Sequence, residues 1–420
     1  MLHQNYHSRD APEWCAVIEN EFIKYGDVRN LMRYITFDTL IHQHYKQLKK
    51  KVSGIDNVTK SKYEYNLKEN IADLLERMKD LSYSPLPVKR AFIPKLNGKF
   101  RPLGIPSYED RLVQGVMTEI LNTIYEHIFL DSSFGFRPNR NCHTALKTLH
   151  NIIDDNSMNY IVETDIKGFF DNVNHELLIK FLRQIIKDKK FICLIQKFLK
   201  AGVVEDGKRL KTKLGTPQGG LISPVLANVY LHYTLDKWFE IDIKGKYKNC
   251  YLIRYCDDFI VCFQNEDDAN WFYNEVTLRF QKYKLELEPT KTRIIYLSDN
   301  PSFDFLGYTI LVYKDGNNRY NAIFTVSAKK LDAKKDEMKK YIQNNKDGNI
   351  SKFVDVINSK LRGFYNYYKT KSNQPYFEEY YNYTLLQLNN NLSKKQLKQL
   401  KLLLEKKPLA KPPTNNFLKF

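Results

Sequence analysis

Three aspartates carry the strongest chemical signal in this sequence. Asp257 and Asp258 interrupt an apolar run, YLIRYCDDFIVCF (251–263). Burying one unpaired carboxylate is costly, and two adjacent like charges are worse. A divalent metal is the usual means of holding neighbouring carboxylates in a low-dielectric setting. Mg²⁺ takes a few carboxylate oxygens and leaves positions for substrate phosphates. A third acid completes such a site, and Asp165, at the end of the apolar stretch in IVETDIKGFF, is the best candidate. Three acids around two Mg²⁺ ions serve an in-line displacement at phosphorus. One ion lowers the pKa of a 3′-hydroxyl, and the other neutralises a triphosphate and its leaving group. The competing reading is a solvated hairpin turn. Apolar flanks without Gly, Asn or Pro weigh against it.

The elements that must position these acids follow from periodicity. YLIRYC and FIVCF read as the strands of a hairpin with the acids at its tip, and NYIVETD reads as a neighbouring strand that breaks near Gly168. PLPVKRAFIPKLNGKFRPLGIP (85–106) reads as a hairpin of two basic strands turning at Asn97-Gly98. Residues 30–83 read as helices with a turn at SGIDNVT, and a helix starting near Pro217 covers GLISPVLANVYLHYTLDKWF. LELEPTKTRIIYL and SFDFLGYTILVY read as strands. From Ser327 onward the pattern is nearly all helical, ending in a helix capped by Ser393 with Gln396 three positions on. Strands alternating with helices, then helices alone, predict an α+β core followed by a helical region.

A chain of 420 residues has room for two or three domains, and 43% hydrophobic content makes it globular. The net charge is +18, and residues 321–420 hold 20 Lys/Arg against 8 Asp/Glu, a local net of +12. That concentration points to a nucleic-acid partner. Six cysteines, with no C-x-x-C pair and none after Cys262, argue against a zinc module or a disulfide framework. No apolar run approaches a membrane span, and the polar N-terminus lacks a signal-peptide core. A cytoplasmic protein, without membrane contact, is the default expectation.

Tyr255-Cys256-Asp257-Asp258 resembles the Y-x-D-D signature of reverse transcriptases. The resemblance extends in order through GIDNVT, IPKLNGKFRPLGIPSYEDRLVQ, SSFGFRPNRNCHTAL, TDIKGFFDNVNHELL, GTPQGGLISPVLANVYLH, RYCDDF, LELEPTKTRI and FDFLGYTI, and LRGFYNYY resembles the start of the thumb, or maturase region. These are the ordered blocks of bacterial group II intron-type reverse transcriptases. The resemblance implies a right-hand polymerase. It would have an N-terminal helical extension (1–84), fingers and palm (85–310) and a helical basic thumb (311–420). The implied activity is RNA-directed DNA polymerisation.

The resemblance also implies roles. Asp165, Asp257 and Asp258 would be the metal-binding acids, with the backbone carbonyl of Ile166 as an extra ligand to two Mg²⁺ ions. Lys95, Lys99 and Arg101 on the basic hairpin would close over the incoming triphosphate. Phe170 would sit under the sugar and exclude a 2′-hydroxyl, selecting dNTPs; a core position beside Phe169 is its other reading. Gln218 would lie against the nucleotide or template base. Lys291 would reach the triphosphate or supply a proton to pyrophosphate. Arg137 and Arg140 would make template-backbone or structural contacts, and the sequence leaves the two readings open. Arg362, Tyr365, Tyr368 and Lys369 would meet nucleic acid, with about half of the thumb tyrosines packed inward. His143 and His175 are read as capping or hydrogen-bonding residues.

The chain stops about 50 residues after LRGFYNYY, without the late Cys and His residues of a zinc-bearing nuclease. A stand-alone reverse transcriptase is therefore the better expectation, and in size and overall architecture the chain resembles the defence-associated members of class 2. These copy a neighbouring structured non-coding RNA into cDNA and protect against phage. The alternative is an intron-encoded maturase that aids splicing and mobility.

Overall fold

The computed structural model describes residues 12–48, 52–94, 100–155, 158–216, 219–247, 249–299, 301–317, 319–415 and 417–418. The chain forms two compact units. The first comprises residues 1–145 with 160–294, and the second residues 146–159 with 295–420. No helix among the described residues is long and apolar enough to cross a membrane.

The first unit contains β1 (Val88–Pro94), β2 (Phe100–Ile105), β3 (Tyr160–Asp165), β4 (Val203–Glu205), β5 (Lys208–Leu210), β6 (Cys250–Tyr255) and β7 (Asp258–Phe263). The strand β8 (Arg293–Tyr296) carries the chain out of it. One sheet has the order β2-β1-β4-β5 and the other β6-β7-β3-β8. Antiparallel pairing of β1 with β2 runs from Lys89 opposite Ile105 to Pro94 opposite Phe100, which gives the predicted basic hairpin. The residues read as its turn, with Lys95 and Lys99, lie outside the described residues.

The second sheet backs onto helices. β7 reads DFIVCF, and its last five residues are all buried, as expected of a strand covered on both faces. The helix Tyr108–Tyr125 is buried over most of its length. Its buried face takes in polar residues too, Asp110, Arg111 and Gln114, so it must supply them with partners.

Several predicted boundaries move. In LELEPTKTRIIYL only Arg293–Tyr296 is a strand, and SFDFLGYTILVY folds back as two antiparallel strands, Ser302–Phe305 and Tyr308–Lys314. The helical run read from residue 30 splits into a short 3₁₀ turn, Leu31–Tyr34, and a helix from Phe37 to Lys46. Thr36 causes the break: its hydroxyl accepts from the Thr39 amide, while Thr39 Oγ1 accepts from the Thr36 amide. Such reciprocal satisfaction of orphan donors starts a helix rather than continuing one. The helix read from Pro217 instead begins at Ser223 and passes into π-helical turns at His232–Asp236 and Phe239–Ile243. The helix Glu13–Tyr25 falls within the helical extension implied for residues 1–84, though the periodicity reading did not mark it, and the short pair β4–β5 was not foreseen.

In the second unit, β9 (Ser302–Phe305), β10 (Tyr308–Lys314) and β11 (Tyr320–Val326) form an antiparallel sheet in the order β11-β10-β9. β11 extends the sheet beyond the strands read from sequence. Helices then run Ala328–Asn345, Ile350–Tyr367, Gln374–Asn391 and Lys394–Lys406. The cap predicted at Ser393 is present: its amide donates to Gln396 Oε1 at 2.9 Å, and its hydroxyl accepts from the Gln396 amide.

Candidate active site

Strand register brings two of the three acids together. In the β3–β7 ladder Asp165 stands directly opposite Asp258. Directly paired residues in an antiparallel ladder share one face, with Cβ atoms roughly 5 Å apart. Asp257 belongs to the two-residue turn between β6 and β7, where Tyr255 pairs with Asp258. Cys256, the first residue of that turn, is buried and has φ +60°. A non-glycine residue held there costs of order 1–3 kcal/mol, a strain found mostly at functional sites.

Electrostatics join the third acid to the pair. Burial pushes Asp258 up to about 7, with the neighbouring charges of Asp257, Asp165 and Glu163 adding to the effect and Lys291 opposing it. Asp257 is also raised, first by burial and then by Asp165 among its charged neighbours, while Arg101 pulls the other way. Two desolvated carboxylates that resist ionisation have a shortage of positive charge around them. That donor chemistry fits a hard divalent cation. Among the described residues no three His, Cys, Asp or Glu side chains already form a closed set of metal ligands. A bound ion would therefore have to draw these oxygens together.

Lys291 supplies part of the missing charge. Its Nζ lies 2.8 Å from Asp165 Oδ2, and this contact raises the lysine pKa. Its place in this structure is on an acid.

Ile166 forms an antiparallel bridge to Leu287. The bridge uses the Asp165 carbonyl, which accepts from the Glu288 amide, and the Lys167 amide, which donates to Glu286. The N–H and C=O of Ile166 itself therefore point to the other edge of the strand, the β7 side, where Asp257 stands.

Phe170 follows in a short helix, Phe169–Asn172. Phe169 is buried, whereas Phe170 is half-buried, and the rings meet edge to face at 5.5 Å. The glycine-rich loop docks on this segment. The Gly215 amide donates to Val173 at 2.8 Å, the Thr216 amide to the Phe170 carbonyl at 2.7 Å, and His175 Nε2 to the Gly215 carbonyl at 2.7 Å. Gly215 has φ +86°, and a Cβ there would come within 2.8 Å of the Phe170 carbonyl. Only glycine meets both demands. Gln218 lies outside the described residues. His175 has the hydrogen-bonding role expected of it.

Three proposed nucleic-acid contacts need correction. Arg137 is buried: it pairs with Glu126 at 3.0 Å and donates to the carbonyls of Leu130 and Ser133. It holds the fold and has no freedom to reach a phosphate. Tyr365 and Tyr368 are buried in the second unit; Tyr365 meets Phe377 at 5.3 Å, and Tyr368 donates to the Gly307 carbonyl. Rings at helical spacing went to the core here. Arg140 pairs with Asp131 at 2.6 Å. Arg362 is exposed and Lys369 half-buried.

Sequence reasoning missed the residues behind the acids. Arg254, in YLIRYC, is fully buried and paired with Asp236. A cation inside an apolar strand run was the available signal, since it demands a buried partner. That partner, Asp236, stands in the first π-helical turn.

The chain agrees with known proteins over this same region. Residues 93–310 match the family described as reverse transcriptase (RNA-dependent DNA polymerase). The chain belongs to the reverse transcriptase family. Within it the chain is of the group II intron-like type. The group II intron-encoded protein LtrA of Lactococcus lactis subsp. cremoris is 34% identical, the match covering 73% of this chain and 64% of that protein. Protein YkfC of Escherichia coli (strain K12) is 30% identical over 66% of this chain and 80% of its own length. Nuclear intron maturase 2, mitochondrial, of Arabidopsis thaliana is 32% identical over 34% of this chain. The match to LtrA thus spans less than two thirds of that relative.

Proposed function

We propose that this protein is an RNA-directed DNA polymerase whose reaction centre is Asp165, Asp257 and Asp258. The observation that carries the reading is the cross-strand pairing of Asp165 with Asp258 next to the turn that holds Asp257, in a chain of the reverse transcriptase family. Mg²⁺ bound by these acids and the Ile166 carbonyl would supply Lewis-acid chemistry, activating a primer 3′-hydroxyl and offsetting charge on the triphosphate. Arg101 on β2 would meet the triphosphate as the basic hairpin closes. Lys95, from the same hairpin, and Gln218, from the glycine-rich loop, would add nucleotide contacts. Phe170 would limit room at the sugar 2′ position. Lys291, released from Asp165, would face the leaving pyrophosphate.

In this reading the β1–β2 hairpin acts as fingers, the β6-β7-β3-β8 sheet as palm, and the helices after Ser327 as a basic thumb. The net charge of +12 over residues 321–420 supports an RNA template held by that region.

For the biological setting we propose copying of a dedicated structured non-coding RNA into cDNA, in defence against phage. A second setting, intron splicing and mobility, is favoured by the names of the relatives, a group II intron-encoded protein and an intron maturase. The two separate on the RNA that co-purifies with the protein: its own flanking intron, or a structured RNA beside a free-standing gene. The polymerase reading is tested by dNTP incorporation on an RNA template with a DNA primer. Absence of incorporation with Mg²⁺ or Mn²⁺ would overturn it.

A further inference from the structure

The β6–β7 turn is held from behind by a buried network that the proposed reaction centre does not itself contain. Arg254 is fully buried, and each of its five N–H donors has an acceptor. Nε donates to Asp236 Oδ1 at 2.6 Å, and Nη2 to Asp236 Oδ2 and to Ser133 Oγ, the latter at 2.7 Å. Nη1 donates to Asn228 Oδ1 at 2.9 Å and to the Cys256 carbonyl at 3.0 Å. That carbonyl belongs to the strained residue of the turn.

A second grip comes from segment 132–136. Its backbone runs along Arg254: the Arg254 amide donates to the Ser132 carbonyl, and the Arg254 carbonyl accepts from the Phe134 amide, both at 2.8 Å. Gly135 packs so closely on the turn that a Cβ there would lie 2.5 Å from the Cys256 amide nitrogen. Asn228 ties the two grips, since its Nδ2 donates to the Gly135 carbonyl at 2.7 Å. Ser133 is shared: its hydroxyl takes Arg254, and its carbonyl takes Arg137 at 2.8 Å.

Resting on the polymerase reading above, we propose that Arg254 is a positioning residue. Through the Cys256 carbonyl it fixes the turn that presents Asp257 and Asp258, with segment 132–136 as the opposing jaw. A buried ion pair returns little net stability, because desolvation offsets the attraction, and an apolar pair of similar volume often does as well. What an apolar pair cannot supply is a directed donor to one carbonyl of a strained turn. Lysine cannot replace the arginine either, having three donors and no planar fork.

The test uses the full chain with Arg254→Met plus Asp236→Leu, and with Arg254→Lys alone. Two readouts are taken: hydrogen exchange over residues 250–263 in metal-free protein, and kcat and KM for dNTP incorporation. The apolar double variant should fold, exchange faster across the turn, and lose roughly tenfold or more in kcat with KM for dNTP little changed. Arg254→Lys should not rescue kcat. A folded double variant with wild-type exchange and wild-type kcat would overturn the proposal. If the double variant does not fold, Arg254→Lys, which keeps the charge beside Asp236 but loses the planar fork that reaches the Cys256 carbonyl, decides in the same way: unchanged exchange and kcat refute the clamp. If the wild type incorporates no dNTP, the polymerase reading fails, and the exchange arm alone decides the clamp.

Discussion

Lys291 and Asp165 form an ion pair, Nζ to Oδ2 at 2.8 Å, on the edge of the acid cluster. The lysine occupies an oxygen that a metal ion would use, so the two cations would compete. Lys291→Ala should therefore tighten binding of Mn²⁺ to the nucleotide-free protein. The lysine side chain is 63% exposed, and exposed pairs contribute little, about 0–1 kcal/mol. A gain of about two- to fivefold in affinity is expected by calorimetry. Weaker Mn²⁺ binding in the variant would show that Lys291 does not compete for the site.

Asp257→Asn should leave the fold intact and stop synthesis. The acid is half-buried, and burial raises its pKa, so a neutral amide of the same shape removes a cost of folding. Loss of one oxygen ligand to a two-metal centre removes several kcal/mol of transition-state stabilisation, roughly a thousandfold in rate. Thermal unfolding should be unchanged or raised while primer extension disappears. Near wild-type extension by the folded variant would sink the assignment of this acid.

Phe170→Ala tests the sugar position. Its ring is half-buried beside Phe169, and its backbone carbonyl holds Thr216, a contact that truncation of the side chain preserves. The loop should stay docked while space opens beside the nucleotide. Incorporation of rNTP relative to dNTP should rise at least about tenfold, the discrimination a small apolar change can supply. An unchanged ratio with activity retained would place Phe170 in the core alone.

Much of this architecture was legible because strands and acids follow local rules. YLIRYC and FIVCF declared a hairpin, and Asp165 ended a strand that could pair with it. The exact opposition of Asp165 and Asp258 was not legible, because register depends on the partner strand. Arg137 and Tyr365 misled for a related reason. An Arg in a loop and a Tyr on a helix look alike whether they meet solvent or a buried partner, and only the fold reveals Glu126 or Phe377. Asp236 was hidden more deeply, since its inward direction depends on a π-turn that leaves little trace in periodicity.

Asp110 provides a test of pH dependence away from the acid cluster. Burial pushes it up to about 7, even though Tyr83 donates to one oxygen at 2.5 Å and the Leu86 amide to the other at 3.0 Å. Between its ordinary value of 3.8 and about 7 the folded protein keeps a proton that the unfolded chain has released. Its contribution to stability is therefore whole below the lower value and is lost as pH rises through the upper one. Urea midpoints for wild type and Asp110→Asn should converge or cross as pH rises over that window, with the slope due to Asp110 absent from the variant. Parallel midpoint curves would show that Asp110 does not titrate there.

The second unit should bind RNA through exposed cations rather than through its buried rings. Residues 321–420 carry a net +12, and each phosphate that is neutralised releases counterions, so binding should fall steeply with salt. Arg362 is exposed on the helix Ile350–Tyr367, and Lys369 follows it half-buried. Tyr365 faces Phe364 and Phe377, inside the unit. Arg362→Ala and Lys369→Ala should each weaken RNA binding and lower the slope of log K against log salt by about one unit. Tyr365→Phe removes a hydroxyl that has no hydrogen-bond partner among the described residues, and it should leave affinity and slope unchanged. Fluorescence anisotropy with a structured RNA over a range of salt concentrations measures all three. If Tyr365→Phe weakened binding while Arg362→Ala did not, the RNA would have to reach the interior of this unit, and the surface reading of its charge would be wrong.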